Sequence, residues 1–249
     1  MNFLSHAYRH LNRADSLATG RFGPSLERPY FLAGTAVPDW LSVLDRRIRA
    51  HSSAARPYLN HGNHAVRDLA GGVIQHHADD RWFHRSRAFM ELNLRFTGWV
   101  KQVLPNDRGF RTGFLGHILV ELLLDAEMSH RQPTLLDRYY ATIERLEPQA
   151  IADGVSQITG KDASGLAHVV TRFCHERFLD DYVDDDRLLL RLNHVMARVG
   201  LRLLPDSIQS IFGAARATVA NHYDALLSSD DAIVEADEGG ASANGERGT

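Results

Sequence analysis

The run 110–128 does most to narrow what this chain can fold into. It is strongly apolar, with Phe114, Leu115, Ile118, Leu119, Leu122, Leu123 and Leu124, and it lies between Pro105-Asn106-Asp107 and Pro133. That reads as a helix with firm stops. The same run carries His117, Glu121 and Asp125 four residues apart, which places them on one helix face. Burying three ionisable groups among leucines is costly unless they are paired or hold a metal. The competing reading is an ordinary amphipathic helix with its polar stripe in water. A polar stripe lining a cleft satisfies both.

Helical periodicity extends through most of the chain. Residues 68–96 contain no proline, and Leu69, Val73, Trp82, Phe83, Phe89, Met90, Leu92 and Leu94 fit a helical pattern with drift. Further helical runs are expected at 135–147, 165–179, 187–199 and 207–228. Alternating β-branched runs are scarce, so no sheet is expected. Residues 20–29, broken by Gly23-Pro24 and Arg28-Pro29, and the polar stretch 50–63 read as loops. The predicted fold is all-α, a single helical domain over 1–228. It is followed by a polar, acidic tail, 229–249, that lacks aromatics and is expected to be disordered.

The chain has 249 residues, 44% of them hydrophobic, enough for one real core. A net charge of -3 lacks the basic excess of a nucleic-acid binder, so no nucleic-acid partner is expected. The single cysteine, Cys174, excludes an internal disulfide and a thiolate zinc cluster. No leader-like stretch opens the sequence and no apolar run is long enough to span a membrane. The expectation is a cytoplasmic protein with no membrane span.

The chain contains 14 histidines, and their spacing carries more than their number. His76, Asp80 and His84 stand four apart and form a second polar ridge. Imidazole and carboxylate at that spacing can chelate a cation, although a solvated helix face reads the same way. A third signal is His6 near the start, together with Asp39 after Gly34-Thr35-Ala36-Val37-Pro38. Those small residues let backbones come close. An aspartate after proline is more often a cap or turn residue. His51, His61 and His64 follow Asp39 in the expected loop.

Four stretches resemble the acyl carrier protein phosphodiesterases, also called acyl carrier protein hydrolases, which are all-helical relatives of the HD phosphohydrolases. They are Met1-Asn2-Phe3-Leu4-Ser5-His6, Leu32 through Asp39, Gly72-Val73-Ile74-Gln75-His76 through Asp80, and Asn221-His222-Tyr223. The segment from Gly34 to Trp40 is also loosely similar to zinc-dependent phospholipase C. The resemblance covers 1–228, with insertions near 20–30 and after Asp39. It departs at Phe83-His84, where the family has Thr-Asp, and at His117, Glu121 and Leu122, where the family has two aspartates and a histidine.

The resemblance implies an HD-like helical bundle and a divalent cation held among His6, Asp39, His76, Asp80, His117 and Glu121. Manganese, iron, magnesium and zinc all suit such donors. Catalytic roles are expected for Asp39, Asp80 and His84, and Arg81 or Arg85, beside the ridge, could neutralise charge on the substrate, although exposed charges on a helix read the same way. His51, His64, His77 and Asp125 form a second tier. The implied reaction hydrolyses a phosphodiester, releasing a phosphopantetheine arm from a serine of acyl carrier protein. A phospholipid head group or a nucleotide is the alternative substrate on the same scaffold. A non-catalytic helical binding protein is the alternative function.

Overall fold

Prolines and capping side chains set the helix boundaries. The computed structural model describes residues 1–11, 28–107 and 110–228, so the expected tail and most of the expected loop at 20–29 lie outside the described residues. Among the described residues there is no strand. The α-helices are α1 (Phe3–Leu11), α2 (Pro29–Leu44), α3 (Ser52–Ala55), α4 (His64–Phe83), α5 (Arg87–Val103), α6 (Phe110–Arg131), α7 (Pro133–Glu144), α8 (Pro148–Thr159), α9 (Leu166–Glu176), α10 (Asp185–Arg198), α11 (Phe212–Asn221) and α12 (Tyr223–Leu227). Short 3-10 turns fill Arg56–Asn60, Phe178–Val183 and Asp206–Ile211. Pro29, Pro133 and Pro148 open α2, α7 and α8, where the missing N–H has no helical partner to lose.

Three expectations change in detail. The periodic stretch 68–96 is two helices, because Ser86 accepts the Phe89 amide at 3.2 Å and restarts the chain as α5. The expected loop 50–63 contains α3 and a 3-10 turn, and Asn63 caps α4 by accepting the Ala65 amide at 2.9 Å. Asp39 is neither a cap nor a turn residue: it lies inside α2, one residue after an internal proline.

Among the described residues, α2 packs most extensively along α4 and α5 along α6. The α2–α4 contact is backbone on backbone. A Cβ placed on Gly72 would lie 2.2 Å from the Phe31 carbonyl oxygen and 2.6 Å from the Gly34 Cα. Only glycine at both positions permits that approach. α5 and α6 meet as closely, with a Cβ on Gly116 falling 2.4 Å from Thr97 Oγ1. An aromatic knot then ties the ends together. Phe173 of α9 packs against Phe3 at 5.0 Å, Trp40 at 5.3 Å, and Tyr140 and Phe178 at 5.3 Å between ring centroids. Rings offset or tilted at these distances contribute beyond their buried area. They hold α1 against α2 and α7, which brings His6 over α4.

Candidate metal centre

The structure gathers imidazoles and carboxylates into two groups that share α4. His6, His76 and Asp80 form the first, and His84, His117 and Glu121 the second; in each, one ligand atom per residue lies within 4.8 Å of the others. The first group is deep, with His6 and His76 side chains 1% and 5% exposed. The second opens more, with His84 and His117 about one-third exposed at 31% and 34%.

Neighbouring groups orient the first set. His76 Nδ1 donates to the Thr35 carbonyl at 2.8 Å, which turns its Nε2 toward Asp80, whose Oδ2 is 3.3 Å away. The approach of Gly34 to Gly72 is what brings Thr35 within reach of a ring on the next helix. His6 stacks on His76, centroids 4.2 Å apart. Its Nδ1 is 3.5 Å from Asp79 Oδ2 and its Nε2 3.4 Å from Asp80 Oδ1. Asp79 is itself held by Gln75, whose amide nitrogen donates to Oδ1 at 2.8 Å. A carboxylate or carbonyl behind each imidazole is the arrangement that fixes ligand tautomers around bound metals.

In the second group Glu121 Oε1 is the centre. It lies 2.8 Å from His84 Nε2 and 3.1 Å from His117 Nε2. The two groups are adjacent: the Met1 ammonium donates to Asp80 Oδ1 at 2.7 Å and to Glu121 Oε1 at 3.0 Å, so one nitrogen spans both carboxylates.

Burial and charge pull against each other here. Burial disfavours the Met1 ammonium, but Glu121 and Asp80 outweigh it and raise its pKa to about 10. Burial likewise disfavours the His6 imidazolium, and the bonds to Asp79 and Asp80 carry it up to about 9. Asp80 resists burial and stays well below the usual carboxylate range through His6, His76 and the Met1 ammonium. Glu121 does the same through the Met1 ammonium, His117 and His84. Both carboxylates are ionised at neutral pH, as ligands must be.

The other candidates have different surroundings. Asp39 is beside the first group but not among its converging donors. Its Oδ2 is buried without a hydrogen-bond partner, and burial raises its pKa against the opposing charges of His76 and His6. Asp125 caps α1, accepting the Leu4 and Ser5 amides at 2.9 and 2.8 Å. Arg81 and Arg85 are exposed. His64 is exposed and meets Tyr30 edge-on. His77 donates to the Ala50 carbonyl at 2.7 Å and stacks on His51 at 6.4 Å; burial lowers its pKa.

Three contributors were not singled out from the sequence: Asp79, the Thr35 carbonyl and the Met1 ammonium. Asp79 could have been, because Gln75 and Asp79 stand four apart just as His76 and Asp80 do. The Thr35 carbonyl could not, since backbone acceptors carry no residue signal.

The donor set suits a divalent cation: buried nitrogen and oxygen donors, ionised carboxylates and imidazoles with supported tautomers. No family model, no curated protein and no solved structure matches the chain. Among the described residues, no helix is long and apolar enough to cross a membrane.

Proposed function

We propose that the chain is a divalent-metal-dependent hydrolase that cuts a phosphodiester, with His6, His76 and Asp80 holding one cation and His84, His117 and Glu121 holding a second. The observation that carries this reading is the adjacency of a buried and a partly exposed imidazole–carboxylate group whose carboxylates are bridged by one ammonium nitrogen. When bound, a divalent cation polarises a phosphoryl oxygen and lowers the pKa of water toward about 7.

The chain's own residues supply the rest. Thr35 and Asp79 hold His76 and His6 with Nε2 turned to the site. Asp39 offers a buried carboxylate oxygen with no other partner, and burial raises its pKa, which suits a group that exchanges a proton with the site. His84 and His117, partly exposed, sit where a substrate enters. The finer reading, that the diester joins a phosphopantetheine arm to acyl carrier protein in the cytoplasm, follows the family resemblance.

The test is metal analysis of the purified protein, then chelation, add-back of single metals and hydrolysis of bis(p-nitrophenyl) phosphate and of holo acyl carrier protein. Metal-restored hydrolysis that His76→Ala with Glu121→Ala abolishes supports the proposal. Absence of bound metal, with a rate untouched by those substitutions, overturns it.

A further inference from the structure

Beside the first group lies a cleft of about 280 Å³ whose wall includes Pro38, Ser42, Arg46, Arg49, His51 and His77. Among the described residues, no carboxylate lines it. It abuts the candidate centre through two neighbouring pairs in sequence: Pro38 precedes Asp39, and His77 follows His76, the two rings meeting edge-on at 5.2 Å. Two arginines, Arg46 and Arg49, line the cleft. Arg46 has no hydrogen-bonded or ion-paired carboxylate among the described residues, and Arg49 donates only to the Arg46 carbonyl, at 3.3 Å. The nearby acid is already taken, since Asp45 is bound by Arg47 at 2.8 Å.

Guanidinium groups without carboxylate partners, gathered at a concave site, can each pair two N–H donors with two oxygens of a phosphate. The size fits a fragment. Small-molecule pockets begin near roughly 300 Å³, so the cleft takes a phosphate group and its first carbons, not a whole cofactor.

We infer that this cleft is an anion subsite that holds a second, terminal phosphate of the substrate while the diester lies at the candidate metal centre. As a statement about substrate, this rests on the proposed hydrolase; as a statement about anion binding, it does not. The preferred substrate class is therefore a phosphodiester that carries an additional phosphomonoester, which a serine-linked phosphopantetheine arm lacks; a substrate of this class is preferred over holo acyl carrier protein.

Two measurements test it. In the first, metal-chelated protein is titrated with inorganic phosphate and followed by ³¹P line broadening, so that binding through a metal is excluded. Wild type should bind, and Arg46→Ala with Arg49→Ala should weaken binding at least tenfold. Arg46→Lys with Arg49→Lys should recover part of the affinity. Both arginines are exposed, and unchanged thermal melts establish that the variants fold. In the second, the alanine pair should raise KM at least tenfold for an aryl diester bearing a terminal phosphate. It should leave kcat, and the kinetics of bis(p-nitrophenyl) phosphate, unchanged. No phosphate binding by wild type, equal binding by the alanine pair, or an equal effect on both substrates overturns the inference. If neither substrate is hydrolysed, the functional proposal fails and the phosphate titration alone decides this one.

Discussion

Asp125 Oδ1 accepts the Ser5 amide at 2.8 Å across 120 positions of sequence, and its other oxygen takes the Leu4 amide. One carboxylate on α6 thus closes the amino end of α1. Removing it in Asp125→Ala leaves two buried N–H groups unpaired and should cost about 2–4 kcal/mol, read by urea unfolding.

The same residue gives a pH signature. Burial raises the Asp125 pKa to about 6, against the hydrogen bonds from Leu4 and Ser5. The folded protein therefore binds this proton more tightly than the unfolded chain, whose aspartates titrate near about 3.9. The contribution is greatest below about pH 4, declines as pH rises to about 6, and is level above that. Measured against Asp125→Asn, which cannot titrate, wild type should lose roughly 3 kcal/mol of relative stability between those limits. A flat difference would contradict the assignment.

Gly72→Ala is a severe substitution for one methyl group. Its Cβ meets the Phe31 carbonyl and the Gly34 backbone, so α2 and α4 must part, at about 2–3 kcal/mol. Gly98→Ala is the control: it also lies within a helix, nothing stands within 4 Å of its Cβ, and it should gain about 0.5–1 kcal/mol. Denaturant midpoints of the pair check this.

Cation binding should appear as stability. A divalent ion at a hundred times its Kd adds about 2.7 kcal/mol, raising Tm. Glu121→Gln should reduce bound metal by one equivalent, as should His76→Ala. The two together should remove the metal-dependent rise, with metal content counted by mass spectrometry.

Asp79 acts through His6. Asp79→Asn should weaken cation affinity about 10- to 100-fold, measured by competition with a chelating dye, and Asp79→Glu should restore part of it. An unchanged affinity in Asp79→Asn would assign Asp79 to packing alone.

The all-helical fold was legible because its period is written in core residues: Leu115, Leu119, Leu122 and Leu123 of α6 are all buried. The ladders at His76-Asp80-His84 and His117-Glu121-Asp125 were legible for the same reason, spacing on one helix. Their partition was not. Each ladder is divided, since Asp80 turns to His6 while His84 turns to Glu121, and Asp125 leaves the centre to cap α1. Helix spacing places residues on a face, but which neighbour that face meets depends on how helices cross. That crossing is set by Gly34, Gly72 and Gly116, where the informative property is a missing side chain. α2 was hidden for a related reason: Pro38 and the small residues before it read as a turn, although burial on nearly every side keeps them helical.

The seam between Gly34 and Gly72 has a consequence for variation around it. Two main chains that touch directly have no rotamers to exchange, so this joint has a single setting. Leucines elsewhere in the interior can be traded for other apolar groups while the Thr35 oxygen and the His76 ring keep their spacing. Room for substitution is greater among the core leucines than at this rigid seam or at Gly116.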